Sequence, residues 1–192
     1  MIPYLEYYKS IEQDLTDCTR YVEFDSRNFD TYSIEFARII MASSSEIDMV
    51  FKLICKSIDP DSNPQNILQY YPILTSKYPR FTTIEMEVPK FNISFKPWEN
   101  WNQDNSPVWW RGYNKIKHER DLNFEKASLI NTLNSVGALL SLLLYYGVEK
   151  IGNYREFQVD AFNAPIFITS KEMEDGIQGA SISKTYDLPD FE

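Results

Sequence analysis

Apolar residues recur with a period close to 3.6 through the first part of the chain. Leu5, Tyr8, Ile11, Leu15 and Cys18 fall on one stripe and predict an amphipathic helix over about Tyr4–Tyr21. The polar run Asp25-Ser26-Arg27-Asn28 breaks the pattern, and a second helix is predicted from Thr31 to Ser57, longer than the average. Its apolar positions include Ile34, Phe36, Ile39, Ile40, Ile47, Val50, Phe51, Leu53 and Ile54. Ser43-Ser44-Ser45-Glu46 interrupts it midway and reads as a solvated face, of a kind that can also line a site. Turn formers from Asp59 to Pro64 end this helix. A shorter one follows over Pro64–Lys77, with Ile67, Leu68, Tyr71 and Leu74 on its apolar side.

At Arg80 the period changes from 3.6 to two. Phe81–Val88 and Phe91–Phe95 alternate, and Pro89-Lys90 between them predicts a β-hairpin. A loop rich in turn formers, Pro97–Asn105, leads into the next helix. Trp98, Trp101, Trp109 and Trp110 cluster here. Aromatic residues beside a helix start usually pack, so they are assigned to the end of the core, with base stacking as the alternative. After Asp121 or Asn123 as a cap, Phe124–Ile151 carries the broadest apolar stripe, including Ala127, Ile130, Leu133, Val136, Leu139, Leu140, Leu143 and Leu144. This is the predicted central helix, loosened or ended by Gly147 and Gly152. Glu156–Val159 and Pro165–Ile168 read as short strands able to join the hairpin. From Ser170 onward the chain is polar and frayed apart from Ile177 and Ile182.

The expected fold is therefore mainly α: an antiparallel helical bundle with an inserted β-hairpin and a small C-terminal β element. Residues 1–152 form the helical domain, with the hairpin and Trp-rich insertion at about 80–105. Residues 153–192 supply short strands and an acidic, partly flexible tail. No internal repeat is present.

Composition narrows the functional classes. The 192 residues are 43% hydrophobic and 15% aromatic, which argues against disorder. The longest apolar run, Val136–Tyr146, falls well short of the roughly 20 residues a membrane span needs. The N-terminus lacks the charged and apolar regions of a signal peptide, so a cytoplasmic location and no membrane association are expected. Cys18 and Cys55 have no metal-ligand spacing, and a single histidine cannot complete an ordinary local zinc site. Both cysteines read as small buried hydrophobes in a reducing compartment. Without a Gly-rich phosphate loop or dinucleotide fingerprint, no cofactor is expected and a nucleotide transferase is disfavoured.

The net charge of -9 opposes a general attraction to nucleic acid, but it is unevenly spread. The tail holds Glu172, Glu174, Asp175, Asp187, Asp190 and Glu192 against Lys184, whereas Arg111, Lys115, Lys117, Arg120 and Lys126 cluster ahead of the central helix.

That basic cluster holds the candidate chemistry. Ser106–Arg120 reads as a helix with Ser106 as cap and Pro107 at the first helical position. Arg111, Asn114 and His118 lie at i, i+3 and i+7, with Lys115 beside them, so all project from one face. A guanidinium, an amide, an ammonium and an imidazole on one stripe suit a phosphodiester better than a core. Read plainly, His118 is a solvated cation at a helix end, favoured by the dipole.

The segment from Arg111 to His118 fits an Arg-x(4-6)-His pattern at its longest spacing, directly before the core helix. In that placement it resembles the HEPN superfamily, helical proteins many of which are metal-independent ribonucleases acting as toxins, anti-phage effectors or RNA-guided RNases. Tyr113–Arg120, followed by Phe124 and Asn131–Leu140, is also similar to uncharacterised bacterial HEPN-like proteins. The resemblance covers about Tyr4–Ile151, with the hairpin as an insertion. It implies a homodimer that brings two Arg-His motifs together, RNA as substrate, and a neutralising or activating protein partner. In many active members a polar residue follows the arginine, where this chain has Gly112.

The roles that follow are His118 as general acid/base and Arg111 as a forked phosphate ligand stabilising the transition state. Asn114 would orient His118 or the phosphate, and Lys115 would be an auxiliary cation. Glu46 would orient Arg111 or His118, with a solvated carboxylate as its plain reading. One chain supplies one imidazole, so a two-imidazole mechanism needs a two-fold dimer. The alternative is a non-catalytic HEPN-like dimerisation or protein-interaction module, with Arg111 and His118 in a polar seam.

Overall fold

The helical stripes read from the sequence meet around a single long helix. The computed structural model describes residues 4–151, 168–169 and 188–190, and within them the chain is mainly helical. The order is α1 (Leu5–Cys18), α2 (Ile34–Ile58), α3 (Ile67–Lys77), β1 (Met86–Val88), β2 (Ile93–Phe95), α4 (Val108–His118), α5 (Leu129–Ile151) and β3 (Ile168–Thr169). On α1 the predicted stripe is buried residue for residue: Leu5, Tyr8, Ile11, Leu15 and Cys18. The hydroxyl of Tyr8 donates to Glu12 Oε1 at 3.0 Å, which keeps the one acid on this face partnered.

α2 starts at Ser33, whose hydroxyl accepts from the Phe36 amide at 3.0 Å. It packs most extensively on α5, and the two run parallel. Ser33 N donates to the Ala127 carbonyl, the Ser43 and Ser135 hydroxyls meet at 3.0 Å, and Ser57 Oγ donates to Glu149 at 3.3 Å. The expected solvated face at Ser43–Glu46 is therefore corrected for its first half. Ser43 and Ser44 are fully buried, and the small Ser43 side chain meets Ser135 of α5 directly. Ser45 alone of the four is exposed, and Glu46 is half-buried.

α5 begins later than the expected Phe124. A 3-10 turn over Phe124–Lys126 comes first, and neither Asp121 nor Asn123 caps α5. Backbone groups do so instead: the Leu129 and Ile130 amides donate to the carbonyls of Thr31 and Phe29 at 2.9 and 3.2 Å. By length and composition α5 could cross a membrane, but 83% of its apolar window is buried inside the bundle, which makes it the core helix. Gly147 sits within it rather than ending it.

α3 is capped by Asn66, whose side-chain oxygen accepts from the amides of Leu68 and Gln69. Its buried positions are Ile67, Tyr70 and Leu74; Leu68, expected inside, is 37% exposed. Phe81–Thr83, expected in a strand, form a 3-10 turn. The hairpin itself is shorter than predicted and pairs antiparallel, Met86 opposite Phe95 and Val88 opposite Ile93. Asn92 takes the left-handed conformation at its turn (φ 52°), which asparagine tolerates. β3 adds to the free edge of β1, giving the order β2-β1-β3. The predicted strands at Glu156–Val159 and in most of Pro165–Ile168 lie outside the described residues. The tail is not simply frayed: Leu188 is fully buried, and Asp190 accepts from Arg80 N and the Tyr145 hydroxyl, each at 2.9 Å.

All four tryptophans are buried, as the packing assignment requires. Trp98 Nε1 donates to Ser141 Oγ at 2.8 Å, Trp101 Nε1 to the Ile67 carbonyl at 3.1 Å, and Trp109 Nε1 to the Pro97 carbonyl at 2.6 Å. The rings of Trp98 and Trp101 pack with Phe51, Tyr70, Phe81 and Tyr145 into one aromatic cluster, which Trp109 and then Trp110 extend through ring contacts. The cysteines are free and buried, and burial pushes the Cys18 and Cys55 thiols up to about 11 and about 12.

Candidate functional site

α4 carries the site because its sequence splits cleanly into two faces. Trp109, Trp110, Gly112, Tyr113 and Ile116 are buried, while Arg111, Asn114, Lys115, Lys117 and His118 are exposed. The predicted stripe of Arg111, Asn114, Lys115 and His118 is thus intact on the solvent side. The helix is shorter than expected at both ends, running from Val108 to His118 with Pro107 as N-cap. Ser106 does not cap it; its carbonyl instead accepts from Arg111 Nη1 at 2.6 Å. Lys115, Lys117 and His118 occupy the last turn, where cations oppose the exposed carbonyl dipoles.

The stripe divides by what each side chain already holds. Arg111 is folded back on Ser106. Lys115 Nζ pairs with Glu119 Oε2 at 2.8 Å, and this contact holds the Glu119 carboxyl below its usual range. Asn114 and His118 make no hydrogen bond to any described residue. Lys117 stands over the Tyr113 ring, 5.5 Å from its centroid.

Two concavities flank the end of α4. An open groove of about 1130 Å³ runs between its last turn and the start of α2, with His118, Lys117, Arg120 and Arg38 around an apolar floor of Ile34, Met41, Ile116 and Phe124. Arg38 is held by Asp14 Oδ2 at 3.0 Å and Glu35 Oε2 at 2.9 Å. A second pocket of about 590 Å³ lies on the other side, between α2, the start of α3 and α4; Asn114 and Lys117 line it, with Ser45, Met49, Gln65 and Leu68. Lys117 is the wall common to both.

Glu46 does not join this site. α2 turns Ile34, Arg38, Met41 and Ser45 toward α4, and Glu46 lies about 100° further round the helix than Ser45. It lines neither concavity and makes no hydrogen bond or ion pair with Arg111 or His118. Its Oε2 is buried without a partner, and burial raises its carboxyl pKa. Asn114 likewise faces the second pocket rather than the groove that His118 lines.

Gly112 has a packing reason. A Cβ there would lie 3.1 Å from Asn131 Nδ2, which is itself fixed by donating to the Lys126 carbonyl at 2.9 Å. The position after Arg111 points into the α4–α5 contact, so a polar side chain at this place would not reach the exposed stripe. Arg38 and Arg120 were absent from the predicted set. Only the Ile34, Ala37, Arg38, Met41 spacing on α2 hints at Arg38, and its pairing with α4 is tertiary. Among the described residues no three of His, Cys, Asp and Glu converge as metal ligands would.

No protein-family model, curated protein or solved structure matches the chain.

Proposed function

We propose that the chain is an endoribonuclease working by acid-base catalysis at a site shared across a symmetric dimer. The observation that carries this reading is the sole histidine, exposed at the end of α4, without a hydrogen-bond partner, at the edge of a groove rimmed by Lys117, Arg120 and Arg38. In the reaction the RNA 2'-oxygen attacks phosphorus and loses its proton to one His118. The bond from phosphorus to the 5'-oxygen breaks, and the second protomer's His118 supplies the proton this oxygen takes up. The products are a 2',3'-cyclic phosphate and a free 5'-hydroxyl. Arg111 would leave the Ser106 carbonyl for the phosphate, an exchange of a neutral acceptor for a charged one.

The dimer is supported by the apolar surface next to the histidine. Ile34, which lines the groove, is 74% exposed; Tyr32, packed on the lining Phe124, and Leu122, next to the lining Asp121, are 52% and 76% exposed. A second copy seated there would cover them and bring the two imidazoles toward each other.

The same surface favours a second reading, a dimerisation or protein-interaction module without chemistry. Arg111 bound to its own backbone and an apolar groove floor both suit a docking face. Incubating wild type and His118→Ala with mixed RNA in EDTA, with end-group analysis, separates the two. Cleavage by the wild type alone, leaving cyclic-phosphate ends, is expected; equal cleavage by both proteins would end the role of His118, and inertness of both would favour the module.

A further inference from the structure

The two concavities beside α4 differ in charge, and that difference is informative. The groove at His118 presents two cations without a carboxylate partner among the described residues, Lys117 and Arg120, beside Asp121, while its Arg38 is held by Asp14 and Glu35. The second pocket presents Lys117 against Asp48, whose carboxylate already accepts from Tyr70 at 2.6 Å and pairs with Lys52 at 2.5 Å. With Lys117 as its one cation, against Lys117 and Arg120 in the groove, the pocket is the poorer phosphate site. Its walls hold Met49 and Leu68, 46% and 37% exposed, two of the few large apolar side chains that the fold leaves open to water. Its polar groups are mainly uncharged: the Asn114 amide, which makes no hydrogen bond to a described residue, with Ser45, Gln65 and the N–H groups of Asn66 that capping does not use.

A flat, neutral, hydrogen-bonding ligand between apolar walls is what such a pocket fits. We infer that it receives the nucleobase of a single-stranded RNA nucleotide whose phosphate lies in the groove at His118. This rests on the RNA reading above and names which part of the substrate each concavity takes. Asn114 and His118 are one helical turn apart, about 5–6 Å between neighbouring Cβ atoms, so base and phosphate of a single nucleotide can reach both. Lys117, shared by the two concavities, faces the sugar-phosphate link. Asn114 accordingly reads the base edge, for which an amide offers both a donor and an acceptor, instead of orienting His118.

The test uses uncleavable 2'-O-methyl pentanucleotides of A, C, G and U, titrated into the full chain while the Asn114 side-chain amide is followed by NMR. Met49→Ala and Leu68→Ala, both at exposed positions, are titrated alongside, and cleavage of ordinary RNA is measured in parallel. The expected result is a base preference of about fivefold or more in the wild type, with the Asn114 amide shifting, and its collapse toward equal binding in both variants. That result supports the pocket whether or not RNA is cut, so failure of the nuclease reading alone remains visible. Cleavage by the wild type with no base preference, or a preference that both variants retain, overturns the pocket and leaves the nuclease standing. Absence of both binding and cleavage overturns the two together.

Discussion

The carboxylate of Glu149 ties three elements together at the end of the bundle away from the candidate site, and removing it should be costly. The side chain is 6% exposed and accepts from the Tyr78 hydroxyl, pairs with Lys77 Nζ at 2.5 Å and accepts from Ser57 Oγ at 3.3 Å. Glu149→Ala removes the charged acceptor of the hydrogen bond donated by Tyr78, a residue only 4% exposed, a loss of about 1.5–3 kcal/mol. Lys77 is 48% exposed, so its ion pair adds only about 0–1 kcal/mol after solvent screening. A total near 2–4 kcal/mol is a large part of an ordinary domain's stability, about 5–15 kcal/mol. In urea, with a slope of about 2 kcal/mol/M, the midpoint should fall by roughly 1–2 M. Glu149→Gln keeps an acceptor for Tyr78 and should lose less than half as much.

The same group adds a pH dependence. Burial alone would raise the Glu149 pKa, but Lys77 and Tyr78 outweigh burial and hold it below its usual 4.5. A depressed carboxylate contributes stability that is fully present above about pH 4.5 and is lost as pH falls through the folded value. The difference in urea midpoint between wild type and Glu149→Gln should therefore shrink on acidification below that pH. A Glu149→Ala midpoint equal to the wild type's, or a Gln variant as damaged as the Ala variant, would refute the assignment of the network's strength to these bonds.

Ser141→Ala removes the acceptor of the buried Trp98 indole N–H and should destabilise the fold by about 1–3 kcal/mol, seen as a lower thermal midpoint, with an unchanged midpoint counting against the contact. Gly112→Asn, which places a polar residue after Arg111, should overpack the α4–α5 contact at Asn131 and cost about 1–3 kcal/mol without creating or raising RNA cleavage. A stable Gly112→Asn variant with increased cleavage would show that this position faces the substrate after all.

The parts of the fold that were legible in the sequence are those set by local periodicity. The α1 stripe and the two-faced character of α4 follow from spacing alone, since neither needs a distant partner to decide which side is apolar. The errors arise where a distant residue decides. Ser43 and Ser44 look solvated until Ser135, on another helix, lets the backbones close over them. Asp190 looks like part of a free acidic tail until Arg80 and Tyr145 supply its donors. Ser106 has the chemistry of a cap, but the helix starts after Pro107 and Arg111 claims the Ser106 carbonyl. For the site, the stripe was visible and the two concavities were not, because each needs residues from α2 or α3 that only the packing brings to α4.

The local charge state of α4 explains how an acidic chain could still handle RNA. Two of the cations in and around α4 are already engaged: Arg38 of α2 by Asp14 and Glu35, and Lys115 by Glu119. Lys117 and Arg120 carry no carboxylate partner among the described residues, and His118 stands between them in sequence. Lys117 and Arg120 thus place unpaired positive charge at the end of one helix, while the net charge of -9 repels a polyanion elsewhere. A single protomer then offers little steering and few phosphate contacts, so its RNA affinity should be weak and only shallowly dependent on salt. A two-fold dimer through the groove doubles these free cations at one place. On the proposed reading, dimerisation would supply both the second imidazole and the field that holds the strand, and the symmetric pair would be the smallest unit able to cut RNA.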